Sequence, residues 1–269
     1  MSRDNSTVGH SSTGTSRIWY QSFVDPQEQQ PYMERLQAHL NAYADPHTSF
    51  EVHGISPPDR YLNPLTEFRC ADQAIRNAIR AEEQGYDAFV IGHFQEPGLI
   101  ECRTAVEIPV IGLGEATMLY ACTLGRTFGL VTINPIFIPW HRDQIIRLGL
   151  SQRAVGVRAV DTQVDTYMHA FQEEKVYQKV KEEFSREVLP LVSEGAEVII
   201  PAGGLPMLLL AREKNFTVQE AVVLNGIAVV AAMAEAALKL FRQTGIAVSR
   251  NGMFTKAPPE AIQEFLASR

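Results

Sequence analysis

Short apolar runs alternate with stretches of helical period along most of this chain. The run IWYQSFV, from Ile18, is aromatic and β-branched and reads as a strand. DPQEQQPYMERLQAHLNAY predicts a helix, with Asp25 before Pro26 as N-cap and first-turn pair. SFEVHGI is a short strand, SPPDRYLNPLTEF a Pro-rich loop, and a helix from about Arg69 to Gln84 leads into the strand DAFVIGHF. A short helix near 98–106, the strand IPVIGL, a helix after Gly114 and the strand RTFGLVTI follow. The second half repeats this economy. NPIFIPWHRDQIIRLGL gives a loop and helix, VGVRAV a strand, and 164–192 a charged helical region. AEVIIPAG and EAVVLNG are the next strands, and 227–243 is an Ala-rich helix. Strands alternating with helices mean βαβ units, an α/β class and a mostly parallel sheet.

Two segments say the same thing. EQGYDAFVIGHFQEPGL begins at Glu83 and SEGAEVIIPAGGLPML at Ser193. Aligned without a gap, Gly85 falls on Gly195, Asp87 on Glu197, and 88–91 on 198–201. Each copy reads as a helix end, a Gly turn, an acidic residue, a buried strand and a small-residue break. In a parallel α/β sheet that break is the carboxyl end of a strand, where ligands bind. His93 and Gly203 stand at equivalent points, so the repeat implies one site between two similar lobes. The expected division is a flexible tail at 1–16, a first lobe at 17–124 and a second at 125–226, with 227–269 packing back over the first.

Composition narrows the class. With 269 residues, 45% apolar and 20% charged, the chain has the make-up of a soluble globular protein. A net charge of −7 argues against nucleic acid, which needs a basic face. No run of about 18 uncharged apolar residues exists, so a membrane span is not expected. The N-terminus lacks the basic start and apolar core of a secretory signal. Cys70, Cys102 and Cys122 have no metal-type spacing and fit reduced thiols of a cytoplasmic protein. None of the histidines has a partner at metal-ligand spacing, so no metal is expected.

Three groups of residues could carry chemistry. His93 emerges where a buried run stops, and imidazole exchanges protons near neutral pH. Glu96, three residues on, could orient it or act as a second acid/base. The structural alternative is a histidine satisfied by a loop carbonyl, with Glu96 capping the helix after Pro97. The repeat tips the balance toward function. Gly203 and Gly204, in PAGGLP, can offer backbone N–H groups to a carboxylate or enolate oxygen. A tight strand-to-helix turn explains the same glycines, but not their matching place in the repeat. Polar strand-end residues form the third group: Gln21 and Ser22 beside Tyr20, Thr132 and Asn134, and Glu115 with Thr117. Gln21, Ser22, Thr132 and Asn134 are the substrate-binding candidates, whereas Glu115 and Thr117 suit helix capping.

Together these residues resemble the aspartate/glutamate racemase superfamily, most closely its hydantoin racemase-like branch. The likeness covers most of 17–243 and rests on DAFVIGHFQEPGL, IPVIGLGEA, FGLVTI, VGVRAVD and GAEVIIPAGG. It implies two similar parallel-sheet lobes related by a pseudo-two-fold axis, with the active site in the cleft and no cofactor. In typical members each lobe places a cysteine at the strand end, one on each face of a carbon beside a carbonyl. Here those positions are His93 and Gly203, and the remaining cysteines do not replace them, because Cys102 and Cys122 sit in segments that read as helical and Cys70 in the turn before one. The resemblance therefore implies proton-transfer chemistry of isomerase or racemase type on a small carboxylate or cyclic amide, without two cysteines.

The alternatives are a C–N hydrolase or lyase using water activated by His93, and a binding protein for small carboxylates that has lost catalysis. Relatives are often oligomers, and the apolar helix 227–243 offers a face for a homo-oligomer.

Overall fold

Asp87 and Glu197 reveal how the two halves are built. The Asp87 carboxylate accepts the backbone N–H of Arg17, which enters the first strand (Oδ2–N 2.8 Å). The Glu197 carboxylate accepts the N–H of Arg126, two residues before the equivalent strand (Oε2–N 2.6 Å). Each follows a helix closed by a left-handed glycine, Gly85 at φ 73° and Gly195 at φ 99°. Matching pairs of bonds, Tyr86 N–H to Ala81 O and Ala196 N–H to Leu191 O, complete the same C-terminal cap.

The computed structural model describes residues 15–160 and 162–268. Most of the expected tail lies outside them, and Ser16 already belongs to a strand. The first sheet holds β1 (Ser16–Gln21), β2 (Thr48–His53), β3 (Ala88–Ile91) and β4 (Val110–Gly112). Their order is β2-β1-β3-β4, all parallel. Helices α1 (Gln30–Tyr43), α2 (Pro64–Glu83) and α3 (Leu99–Ala105) connect them, and α4 (Leu113–Leu124) leads out.

The second sheet holds β5 (Phe128–Thr132), β6 (Ala154–Ala159), β7 (Val198–Ala202), β8 (Thr217–Val218) and β9 (Ala221–Val223). Its order is β6-β5-β7-β9-β8, with only β8 antiparallel. Helices α5 (Phe137–Arg147), α6 (Val164–Ala170), α7 (Glu174–Ser193) and α8 (Gly204–Leu210) lie between its strands. Ile18 pairs with Ala88 where Phe128 pairs with Val198, so both central strands repeat at one interval. Each lobe thus reverses its strand order between the same two strands, β1/β3 and β5/β7. Ligand crevices form at such switch points.

Alternation of side chains explains the layers. Ile18, Tyr20, Ala88 and Val90 face inward together with Phe128, Leu130, Val198 and Ile200, forming one core shared by both lobes. Trp19, Phe89 and Ile91 point the other way, under α2 and α3. Val131 and Ile199 do the same under α7. Burial on both faces is why these strands read as unbroken apolar runs. α9 (Gly226–Thr244) lies against α4, α1, β3 and β4, although it follows the second sheet in the chain. α10 (Pro259–Ala267) sets Ile262 and Phe265 on the outer core of the first lobe. Among the described residues no helix is long and apolar enough to cross a membrane.

Three expectations need correction. α1 starts at Gln30, because Asp25 spends its carboxylate on the N–H groups of Gln27 and Glu28 in a separate turn. α2 starts at Pro64 rather than Arg69, because Asn63 caps it by accepting from Leu65 and Thr66 N–H. Cys70 consequently lies inside α2 and is buried.

Gly85 and Gly195 have open space where a Cβ would stand, so only their backbone angles require glycine. Gly85→Ala and Gly195→Ala should each cost about 1–2 kcal/mol from the left-handed conformation. Because the caps belong to different lobes, the double variant should lose the sum. Urea midpoints of the three variants would check both statements.

Candidate active site

The carboxyl ends of the two sheets face a single cavity of about 480 Å³, within the usual range for small-molecule sites. His93 lines it from the end of β3, Ser22 from β1, Ile133 from β5, and Gly203 and Gly204 from β7. The lobes meet closely there. A Cβ built on Gly204 would fall 3.6 Å from the carbonyl oxygen of Gly92. His93 and the Gly203–Gly204 turn are thus brought to one hollow.

His93 follows Gly92, whose N–H still bonds to Gln21 O in the β1–β3 ladder (2.8 Å). Its ring stacks on Phe23 at 4.7 Å between centroids and 18° between planes. Its Nε2 lies 3.1 Å from Oε1 of Glu67. Both atoms are buried, and neither makes a well-aligned hydrogen bond. A carboxylate at Nε2 favours the tautomer that carries the proton there and leaves the Nδ1 lone pair as base.

Glu67 is not among the expected site residues, because SPPDRYLNPLTEF, 56–68, reads as loop. Asn63–Pro64 is nevertheless a cap and first-turn pair legible in the chain, and it puts Glu67 in the opening turn of α2.

Glu96 is not the partner of His93. It is buried at 4% exposure and absent from the cavity wall. Its Oε1 accepts from Glu115 N–H (2.6 Å) and its Oε2 from the Gln144 amide (2.9 Å). The same amide donates to Phe94 O (2.7 Å), and Gln144 Oε1 lies 3.4 Å from His141 Nδ1. His141 Nε2 stands 3.2 Å from Thr132 Oγ1. A polar chain therefore runs behind the cavity, from the first lobe into the second. Gly112 leaves room for it, since a Cβ there would fall 2.1 Å from Glu96 Oε1. Burial pushes the Glu96 carboxyl up to about 7 against the lowering effect of its bond from Glu115. Burial also pulls His141 down to about 4.

Other candidates sort by the same criterion. Thr132 is spent on His141 inside that chain and does not reach the cavity. Gln21 is fully buried, its amide donating to Ser22 O, His53 O and Gly54 O and its oxygen accepting from Trp19 and Asn77. Asn134 caps its own turn by accepting from Ile136 N–H (2.9 Å). Strand ends are polar here because their side chains tie loops together. Ser22 alone of these four lines the cavity. Glu115 pairs with Arg103, and Thr117 bonds to Leu113 O (2.6 Å).

The glycine turn also differs in detail. The Gly203 N–H is taken by Pro201 O (3.0 Å), whereas the Gly204 and Leu205 N–H groups, in the first turn of α8, have no backbone acceptor among the described residues. Gly203 sits at φ 153°, where an added Cβ would meet the Pro206 ring at 3.2 Å. Tyr32 and Phe137 complete the wall nearby. Among the described residues, no group of three or more His, Cys, Asp or Glu side chains is arranged to hold a metal ion.

A model of the Asp/Glu/hydantoin racemase family matches residues 24–237. A hydantoin racemase of Rhizobium meliloti is 30% identical over 161 residues, which cover 59% of this chain and 63% of that protein. A second, from Pseudomonas sp. (strain NS671), is 28% identical over 111 residues, covering 40% and 45%. The matched stretch thus spans less than two thirds of either relative. Among solved structures, an allantoin racemase from Klebsiella pneumoniae has a TM-score of 0.73 at 23% identity, covering 91% of this chain and 94% of its own. An allantoin racemase from Pseudomonas fluorescens gives 0.72 at 21%, covering 90% and 97%. These two share the fold.

The buried chain makes a pH prediction. Glu96 keeps its proton when folded but loses it when unfolded between about pH 4.5 and 7. Its contribution to stability is therefore full below 4.5 and lost as pH rises through 7. His141 does the opposite, losing stability as pH falls from 6.5 through about 4. The two slopes, each about 1.4 kcal/mol per unit, oppose one another where they overlap. Glu96→Gln removes the first. Urea midpoints should show the variant gaining on the parent as pH rises from 4.5 to 7, and a constant gap would contradict the assignment.

Proposed function

The chain belongs to the Asp/Glu/hydantoin racemase family, and from that premise we propose that it moves a proton on the carbon beside the carbonyl of a small cyclic amide. One observation carries the reading: an imidazole and a glycine turn, at equivalent strand ends of two lobes, line one cavity. His93 is the acid/base of the reaction. Ser22 and the Gly204 N–H contact the substrate.

Glu67 replaces Glu96 as the partner of His93. It positions the ring and compensates the positive charge that forms when Nδ1 takes a proton. No thiol stands at 93 or 203, so one base serves. His93 removes the proton and returns it, or solvent returns it to the opposite face of the planar intermediate. The two hydantoin racemases named above act, by their names, on the ring type that suits this wall. Arg60 is the one Lys or Arg lining the cavity among the described residues, and it is paired with Glu28, while Asp25, Asp59 and Asp165 also line it. A free carboxylate would find little compensation there, whereas a neutral ring with N–H donors would. That favours a cyclic amide over the carboxylate alternative.

The test is exchange of the ring C–H of 5-methylhydantoin in heavy water, followed by NMR, together with product mass and optical rotation. Deuterium should enter without addition of water to the product. His93→Asn should lower the exchange rate about a hundredfold or more. Glu67→Gln should lower kcat about tenfold or more, with KM little changed. A product heavier by one water would instead establish hydrolysis with His93 activating the water. Undiminished exchange in folded His93→Asn would remove its role.

A further inference from the structure

Removing a proton beside a carbonyl leaves negative charge on the carbonyl oxygen. The glycine turn gives it little, since Gly203 has used its own N–H on Pro201 O (3.0 Å). Tyr32, from the first turn of α1, lies beside the Gly204 amide. Its hydroxyl is 2.9 Å from the point where a Gly204 Cβ would stand, and the residue lines the same cavity as His93.

Tyr32 is 3% exposed, yet its hydroxyl is bonded to nothing among the described residues and is not sealed from the cavity. The neighbouring Tyr20 marks the contrast, because its hydroxyl is buried without access. A phenol held inside the protein with a free O–H, at the mouth of a glycine turn, is a donor awaiting an acceptor.

Resting on the proton-transfer reading above, we infer that Tyr32 is a catalytic residue whose O–H donates a hydrogen bond to the oxyanion formed on the substrate carbonyl. His93 Nδ1 takes the proton from carbon. The C–H electron pair becomes the C=C bond, and the carbonyl π pair moves onto oxygen, where Tyr32 and the Gly204 N–H receive it. Collapse returns the pair to carbon, which takes a proton from the imidazolium or from water. Tyr32 stays protonated throughout, and burial favours this by pushing its phenol well above the usual tyrosine range. The donors come from different lobes, so the oxyanion site exists only when the lobes are together.

The experiment uses the full-length chain and Tyr32→Phe, which keeps the ring and removes one oxygen, with Tyr20→Phe as control. Exchange of 5-methylhydantoin in heavy water should fall about a hundredfold in Tyr32→Phe, chiefly in kcat. It should be unchanged in Tyr20→Phe. Barbiturate, a ring enolate at neutral pH, supplies a readout independent of turnover. Calorimetry should show it binding the parent at least about tenfold more tightly than Tyr32→Phe, while unsubstituted hydantoin binds both alike.

Equal barbiturate affinity in parent and Tyr32→Phe, no barbiturate binding by the parent, or equal losses in the two tyrosine variants would each overturn the inference. If the parent exchanges no hydantoin proton yet binds barbiturate through Tyr32, the donor stands and the proton-transfer reading falls. If His93→Asn alone is silent, the base is misassigned and Tyr32 is not.

Discussion

Gln144 reaches from α5 of the second lobe into the loop that carries His93 in the first. Its amide hydrogens bond to Phe94 O and Glu96 Oε2, at 2.7 and 2.9 Å. Two residues of that loop are thereby held by one side chain from across the cleft. The bonds are buried, where an unpaired amide or carboxyl group is costly. The loop therefore has little freedom to turn His93 elsewhere. Cavity, stacking on Phe23 and approach to Glu67 all presuppose this cross-lobe tie.

The site separates its carboxyl groups by environment. Glu67 stands at the imidazole with no well-aligned partner, able to answer a charge that appears during turnover. Glu96 is closed off and committed to an amide and a backbone N–H, so it answers nothing outside its own network. Two glutamates near one histidine thus do different work. Charge that forms on the substrate meets a different set, Tyr32 and the Gly204 amide, in the same hollow. Preorganised donors of this kind lower a barrier because they need not reorient when charge appears.

Much of the architecture is legible in the chain because the repeat is backbone chemistry. A left-handed glycine, an acidic residue reaching the next strand and a doubly buried run leave the same mark wherever they occur. The chain also places His93 and Gly203 at matching strand ends, and the shared cavity follows from the switch points. Partners of these residues are harder to read. Glu67 is 26 residues upstream of His93 and meets it only because α2 begins one turn earlier than periodicity suggests. Glu96 looks like the partner because it is near in sequence, but its positive φ of 58° belongs to a loop that turns it away. Gln21, Thr132 and Asn134 show that polar residues at strand ends serve loops as readily as ligands.

Gly203 carries a longer consequence. At φ 153°, with the Pro206 ring 3.2 Å from an added Cβ, any side chain there is strained and the ring must give by a few tenths of an ångström. A sulfur nucleophile set in that corner by exchanging a single codon would carry that strain. The character of this corner is then stored in the course of the main chain as well as in side-chain identity, and a designer wishing to place a side chain there would relax the loop first.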